Sequence, residues 1–402
     1  FGSLMTKGPN PVDLANQVLP AHIAFSQSLS ANIKYNLSNS TAQTMTIKAL
    51  CVLGNTSIDE LLLNYGSLTG STTLRQAIVS FHQQLNHKLN RSNENSQKST
   101  LDESNVLTFC GAQEALAAVY QALLVPGDEV VVITPSYPSL VTMAKQRGCI
   151  VKEIELSAEK GWQLSIESFS ALVNKKTKLI VVNSPHNPSG TIIDSNTAAQ
   201  ILTLARRFNC YLLADDVSQA SNYNDLPLAH NYLSYDKAIV VSVLSKSFGL
   251  AGVRVGWAMC RDQQLIQRLL ATKCYGSICC SAIDLYLAEI ALIHSDKIIE
   301  QNNQIIKDNI SNFQLFIEKN SPLFSWQPPQ AGILAIVKCH FQQPIEKFAK
   351  DLAQRGGILL LPTSIFGLQG QYFRLGLGQK NLCQSLKQLQ LFIDKYDDFI
   401  KN

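Results

Sequence analysis

The feature that most constrains this chain is a series of short runs, apolar at almost every position, each set apart from the next by a helical stretch. The runs are VLTF (106–109), DEVVVITP (128–135), KLIVVNSP (178–185), CYLLADD (210–216), KAIVVSVLS (237–245) and VRVGWAMC (253–260). Helical spacing of apolar residues appears over 112–124, 138–147 and 196–208, after an amphipathic helix over 71–89. A strand with one wet face alternates polar and apolar residues, whereas a strand apolar throughout needs cover on both faces. The sequence therefore predicts an α/β fold, a mostly parallel sheet with helices on either side.

Beyond that sheet, 281–319 reads as one or more long helices, with apolar residues at 3.6-type spacing in DLYLAEIALI. Shorter elements follow: the strands GILAIVKC, GILLLP and YFRLGLG, a helix over 344–356 and a last amphipathic helix over 381–396. At 402 residues the chain is long enough for two packed cores. The expected division is a large α/β domain over 61–295 and a smaller α+β domain combining 5–60 with 296–402. The polar stretch 90–100 (NRSNENSQKST) reads as an exposed loop.

Charge narrows the function classes. A net charge of +4, scattered along the chain, gives no reason to expect nucleic acid or an anionic membrane as partner. The longest apolar span, 239–259, is interrupted by Lys246 and Arg254, both costly in hydrocarbon. Met5 reads as the natural start, residues 1–4 are set aside, and no basic-then-apolar signal segment follows. The ten cysteines lack paired Cys-x-x-Cys spacing beside histidines, which argues against zinc. Several lie in apolar runs, where a free thiol behaves as a small hydrophobe, and a reducing cytoplasm is the expected location. The adjacent Cys279 and Cys280 read as core packing.

Four segments could carry chemistry. LSKSFGLAGVRVG (244–256) places Lys246 just after an apolar strand, where open α/β sheets bind ligands. A partly desolvated lysine there is neutral more often and can form an imine with an aldehyde. Arg254, eight residues on, offers a forked donor to phosphate. By itself the segment also reads as a surface lysine and a paired arginine near a glycine turn. Asp215 ends the run CYLLAD, and a buried carboxylate there needs a partner such as a protonated ring nitrogen. Taken singly it reads rather as a helix N-cap for the following segment. In NSPHNPSG (183–190) two proline steps fix the amide of Asn187 at the sheet edge, though an ordinary Asn-Pro turn looks the same. FCGAQEAL (109–116) is a strand, a glycine and a helix start, whose free N–H groups suit phosphate. Tyr137 follows the next strand and could lie on a flat ring or simply cap the core.

In order along one chain stand Tyr65-Gly66, Gly70, Leu74-Arg75, Gly111-Ala112-Gln113, Tyr137, Asn187-Pro188-Ser189-Gly190, Asp215, Ser245-Lys246, Arg254 and Arg374. The set resembles the fold type I pyridoxal 5′-phosphate (PLP) enzymes, within the class I/II aminotransferase group, over roughly residues 60–380. The resemblance implies the PLP-transferase fold with its seven-stranded type of sheet. It also implies transfer of an amino group from an α-amino acid to a 2-oxo acid. Lys246 would hold the cofactor as an imine and move the α-proton, and Asp215 would pair with the ring nitrogen. Asn187 would donate to the ring oxygen and Tyr137 would stack on the ring face. The amides following Gly111, at Ala112 and Gln113, would hold the phosphate together with Ser245 and Arg254. Arg374 would bind the substrate α-carboxylate, with Asn187 beside it. Tyr65 would reach the phosphate of a neighbouring subunit, which implies a homodimer with shared active sites.

Two positions depart from the family pattern. Ser218 stands where a tyrosine is usual, three residues after the aspartate, and Val243 where a hydroxyl residue is usual, three before the lysine. Both lie on the cofactor and bear on reaction type, so elimination, replacement, decarboxylation or an oxidative or cyclising reaction stands as the alternative. A PLP-sensing regulatory module would need a DNA-binding arm, for which residues 5–60 are too few and too uncharged. No positioned cation marks a distal carboxylate, so aspartate and glutamate are not specifically indicated.

Overall fold

The computed structural model describes residues 19–29, 33–89, 101–227 and 232–396. The polar stretch 90–100 and the first residues of the expected small domain, 5–18, lie outside them. After a two-residue strand, β1 (Tyr35–Asn36), comes a seven-stranded sheet. Its members are β2 (Val106–Phe109), β3 (Glu129–Thr134), β4 (Ile150–Glu155), β5 (Thr177–Asn183), β6 (Tyr211–Asp215), β7 (Ala238–Val243) and β8 (Gly256–Met259). They lie in the order β2-β8-β7-β6-β5-β3-β4. Strands β3 to β7 pair in parallel, while β8 runs antiparallel to both β7 and β2.

The all-apolar runs are explained by cover on both faces. Val131, Ile133, Ile180, Val182, Leu212, Ala214 and Val240 join one buried cluster. Their immediate neighbours Val130, Val132, Leu179, Val181, Leu213, Ile239 and Val241 join another. Successive side chains of a strand point to opposite faces, so each strand feeds two cores at once. Each buried aliphatic contributes roughly 1.5–3 kcal/mol. The edge strand β4 (IVKEIE) is largely exposed and mixes charges among its apolar residues. Its weak pattern left it out of the sequence-based set of strands, as happened to the helices Ile166–Leu172 and Gln263–Cys274.

A third buried cluster gathers Phe313, Phe324, Phe348, Phe373 and Phe392 with Leu37. It lies among the helices Ser295–Lys319, Ile345–Asp351 and Leu382–Lys395 and a four-stranded sheet. That sheet is made of β9 (Phe324–Trp326), β10 (Leu334–Cys339), β12 (Leu361–Pro362) and β13 (Tyr372–Gly376), in the order β12-β13-β10-β9. The run GILLLP is split: β11 (Ile358–Leu359) pairs with β1, and only β12 joins the larger sheet. The stretch 281–319 forms two helices, Ala282–Ile293 and Ser295–Lys319. The helix expected over 344–356 runs from Ile345 to Asp351 and ends in a π turn, Leu352–Gly356. All ten cysteines are free, and of the adjacent pair Cys280 is fully buried as core packing requires, whereas Cys279 is only half-buried. Among the described residues no helix is long and apolar enough to cross a membrane, and no His/Cys/Asp/Glu cluster could hold a metal.

Candidate active site

Parallel pairing of β5, β6 and β7 brings their carboxyl ends to one edge, the place where open α/β sheets take ligands. Register sets Asn183 opposite Asp215 and Asp215 opposite Val241. A cavity of about 250 Å³ opens there. Gln113, Tyr137, Asn187, Asp215, Ser245, Lys246 and Arg254 all line it, so residues as far apart in sequence as 113 and 254 converge.

Lys246 is half-buried on the cavity wall, and its Nζ donates to Ser40 Oγ at 2.9 Å. Burial pushes the amine down to about 8, Arg374 and Arg254 press the same way, and Asp215 opposes them. An amine near 8 is neutral in a useful fraction at physiological pH, which a nucleophile and proton carrier needs. Asp215 is buried, and burial raises its carboxyl to about 6 against a long bond from Val217 N–H (3.4 Å) and the Lys246 charge. The helix-cap alternative fails, because the residues after Asp215 form turns and no helix begins there. Among the described residues Asp215 has no ion-pair partner within 4 Å. Its carboxylate therefore calls for a cation.

The phosphate end is built from the start of the helix Ala112–Leu123. Its N-cap is Gly111, with φ of 89° and no side-chain cap. First-turn N–H groups such as those of Ala112 and Gln113 have no acceptor within a helix and suit an anion. Arg254 closes over this turn so tightly that a Cβ on Gly111 would stand 2.5 Å from Nη2. Arg254 Nη1 also donates to Ser245 Oγ at 3.3 Å and to the Ala251 carbonyl at 3.0 Å. Tyr137 is tied to the same helix, its hydroxyl donating to Gln113 Oε1 at 3.3 Å.

Asn187 is positioned by two groups that the sequence reading passed over. Asn183 Oδ1 accepts from the Asn187 N–H at 2.7 Å, while Asn183 Nδ2 donates to the Asp215 carbonyl at 2.8 Å. His186 is fully buried, bonded through Nδ1 to Ser189 Oγ and through Nε2 to the Pro135 carbonyl. Burial depresses its imidazole to about 4, so at neutral pH it is an uncharged brace.

Arg374, on β13, is buried beside the cavity rather than on its wall. Nη2 donates to the Ser38 carbonyl at 3.0 Å and Nη1 to Asn187 Oδ1 at 3.5 Å. Its guanidinium lies 4.4 Å above the Phe366 ring, and Nε is buried with no partner. Among the described residues no carboxylate pairs with it, and burial pulls it down to about 10. His22, on the helix Ala21–Ser28, is a third omission: its ring is 5.5 Å from that of Tyr137 and its Nδ1 is buried and unpartnered. Tyr65 is not part of this cluster. It is 86% exposed and lines a separate groove with Cys279 and Cys280. Ser218 and Val243 do line the cavity, and Tyr137 is the one tyrosine among its described lining residues.

An anion cradle, a desolvated amine and a buried carboxylate on one cavity are the parts needed for a phosphorylated aldehyde with a basic ring nitrogen, and PLP fits them. The doubly covered seven-stranded sheet, with a lysine just beyond a strand's carboxyl end, defines a type I PLP enzyme. Residues 29–386 match the aminotransferase class I and II family, so the chain belongs to that family and is a PLP-dependent aminotransferase. It is 28% identical over 325 residues to capreomycidine synthase from Streptomyces vinaceus, covering 81% of this chain and 79% of that protein. It is 27% identical over 360 residues to arginine–pyruvate transaminase AruH from Pseudomonas aeruginosa, covering 83% and 84%. The crystal structure of a PLP-dependent aminotransferase from Streptococcus suis superposes with a TM-score of 0.85 at 26% identity, covering 95% and 99% of the two chains.

Proposed function

We propose that Lys246 carries the PLP and moves the proton at the substrate's α-carbon as the amino group passes from an α-amino acid to a 2-oxo acid. The observation that carries this is the placement of Lys246, Asp215 and the Gly111–Arg254 cradle on one cavity. When bound, the cofactor supplies an electron sink for the negative charge left at the α-carbon. Asp215 keeps the ring nitrogen protonated, and its own carboxyl is stabilised by that cation in place of water. Asn187 donates to the ring oxygen, held in place by Asn183, and Tyr137 covers the ring face. The N–H groups of Ala112 and Gln113, with Ser245 and Arg254, hold the phosphate. Arg374, a buried cation with a free Nε, receives the α-carboxylate.

A single-turnover donor screen tests this. Each active amino acid should yield one equivalent of its 2-oxo acid per active site with no ammonia, whereas ammonia release at full turnover would move the reaction to elimination. The name of the transaminase relative places arginine first in the screen. A second reading, another PLP reaction on an amino acid, is favoured by Ser218 and by a relative named as a synthase.

Ser218 gives a sharper test. A phenol at this position would add a donor to the ring oxygen and stabilise its anionic form. Ser218→Tyr should therefore lower the pH midpoint of the bound cofactor's visible absorbance change by about one unit. A midpoint that stays put while a crystal structure has the phenol bonded to that oxygen sinks the assignment.

The protein is further read as a homodimer. Leu62, Leu63, Tyr65 and Tyr275 form an exposed apolar set (73%, 80%, 86% and 96%) that a second copy would cover, bringing Tyr65 to the partner's phosphate. Leu37 shares a buried cluster with Phe313, Phe348 and Phe373, which supports a small domain drawn from 5–60 and 296–402 beside 61–295, although Leu50, Cys51, Ile298 and Ile336 pack into the large domain's core. Ten free thiols support a cytoplasmic location.

A further inference from the structure

The segment 37–42 carries no motif, yet it touches both ends of the reacting site. Gly376 N–H donates to the Leu37 carbonyl at 2.7 Å, and Ala42 N–H donates to the Lys246 carbonyl at 3.1 Å. The segment is clamped against β13 so closely that a Cβ on Gly376 would stand 1.9 Å from the Asn39 carbonyl oxygen. Within it, Ser38 holds Arg374 twice: its carbonyl accepts from Nη2 at 3.0 Å, and its Oγ donates to the Arg374 carbonyl at 2.6 Å. Two residues on, Ser40 Oγ accepts from Lys246 Nζ at 2.9 Å. The group proposed for the α-carboxylate and the group proposed for the α-proton are thus spaced by one short, fixed piece of backbone.

We propose that Ser40 is a positioning residue for Lys246, accepting a hydrogen bond from the protonated side chain and holding Nζ toward Arg374, where the substrate's α-carbon must sit. This rests on the reading of Lys246 as the PLP-bearing, proton-moving residue. Lys246 is surrounded by burial and by the cations Arg374 and Arg254, all of which disfavour its charged form, with the Asp215 charge opposing. An acceptor at 2.9 Å favours the ammonium over the amine, so Ser40 offsets part of that penalty at the moment the proton is held. A hydroxyl also restricts a four-carbon side chain that would otherwise sample several rotamers.

The test uses the full-length protein stripped of PLP and the loaded enzyme in parallel. Trace acetylation of Lys246, followed by peptide mass spectrometry across pH, should give a wild-type midpoint near 8. Ser40→Ala should lower it by about one unit, and Ser40→Thr, which keeps the hydroxyl, should restore it. In the loaded enzyme Ser40→Ala should reduce kcat about tenfold with KM within about threefold, and the isotope effect with an α-deuterated donor should rise. An unmoved midpoint, or alanine and threonine variants that fall together, overturns the proposal and leaves Ser40 a packing residue. Should Ser40→Ala fail to fold, the near-isosteric Ser40→Cys, a weaker acceptor, is judged by the same midpoint. Borohydride reduction of the loaded wild type separates the two claims. Cofactor fixed to another lysine removes the Lys246 reading itself, whereas cofactor on Lys246 with an unmoved midpoint removes only Ser40.

Discussion

Lys246→Ala should lower turnover by at least about 10⁴-fold, the upper end for one positioned proton carrier, because the same amine also holds the cofactor. The variant should still take up PLP through the phosphate cradle and Asp215, neither of which depends on the lysine. The cofactor should then leave on gel filtration, and the visible imine band of the wild type should be missing. Stability should change little, since the side chain's hydrogen bond runs to Ser40 on a segment that is clamped independently. Absorbance, gel filtration and donor turnover check each part. A variant that keeps both the band and the activity shows that another lysine carries the cofactor.

Arg374→Ala should raise KM for every active donor by roughly 30-fold to several thousand-fold, the equivalent of about 2–5 kcal/mol for truncating one member of a desolvated charge pair. The argument is local. Arg374 is buried with an unpartnered Nε and no carboxylate beside it among the described residues, so an incoming α-carboxylate meets a cation whose charge no anion neutralises. Arg374→Lys should recover only part of the loss, because an ammonium lacks the fork and cannot keep the bonds to Ser38 and Asn187 at once. Steady-state kinetics with two unrelated donors decides it: unchanged KM for both would remove the carboxylate assignment. A loss confined to kcat would instead point to the Arg374 bond with Asn187.

The fold was legible wherever the signal is local. A strand buried on both faces is apolar at almost every position, and β3, β5, β6 and β7 carry that mark. The edge strand β4 does not, since it is largely exposed and mixes charged with apolar residues. The placement of Lys246, Asp215, Asn187 and Gly111 was also legible, because each ends a strand, follows one by a few residues or starts a helix. Such placement follows from the order of elements along the chain.

What the sequence by itself determined, then, is a doubly covered sheet and the set of groups delivered to its carboxyl edge. Only the tertiary structure decided their companions. Ser40 meets Lys246 across 206 residues and Ser38 meets Arg374 across 336, while His22 comes from a helix with no buried residue of its own. Serines in a loop obey no periodicity and cap no helix, so nothing in NLSNST distinguishes a solvated turn from a strap across an active site. That distinction is made by glycines more than three hundred residues away, at 376 and 378, whose missing side chains let the backbone approach.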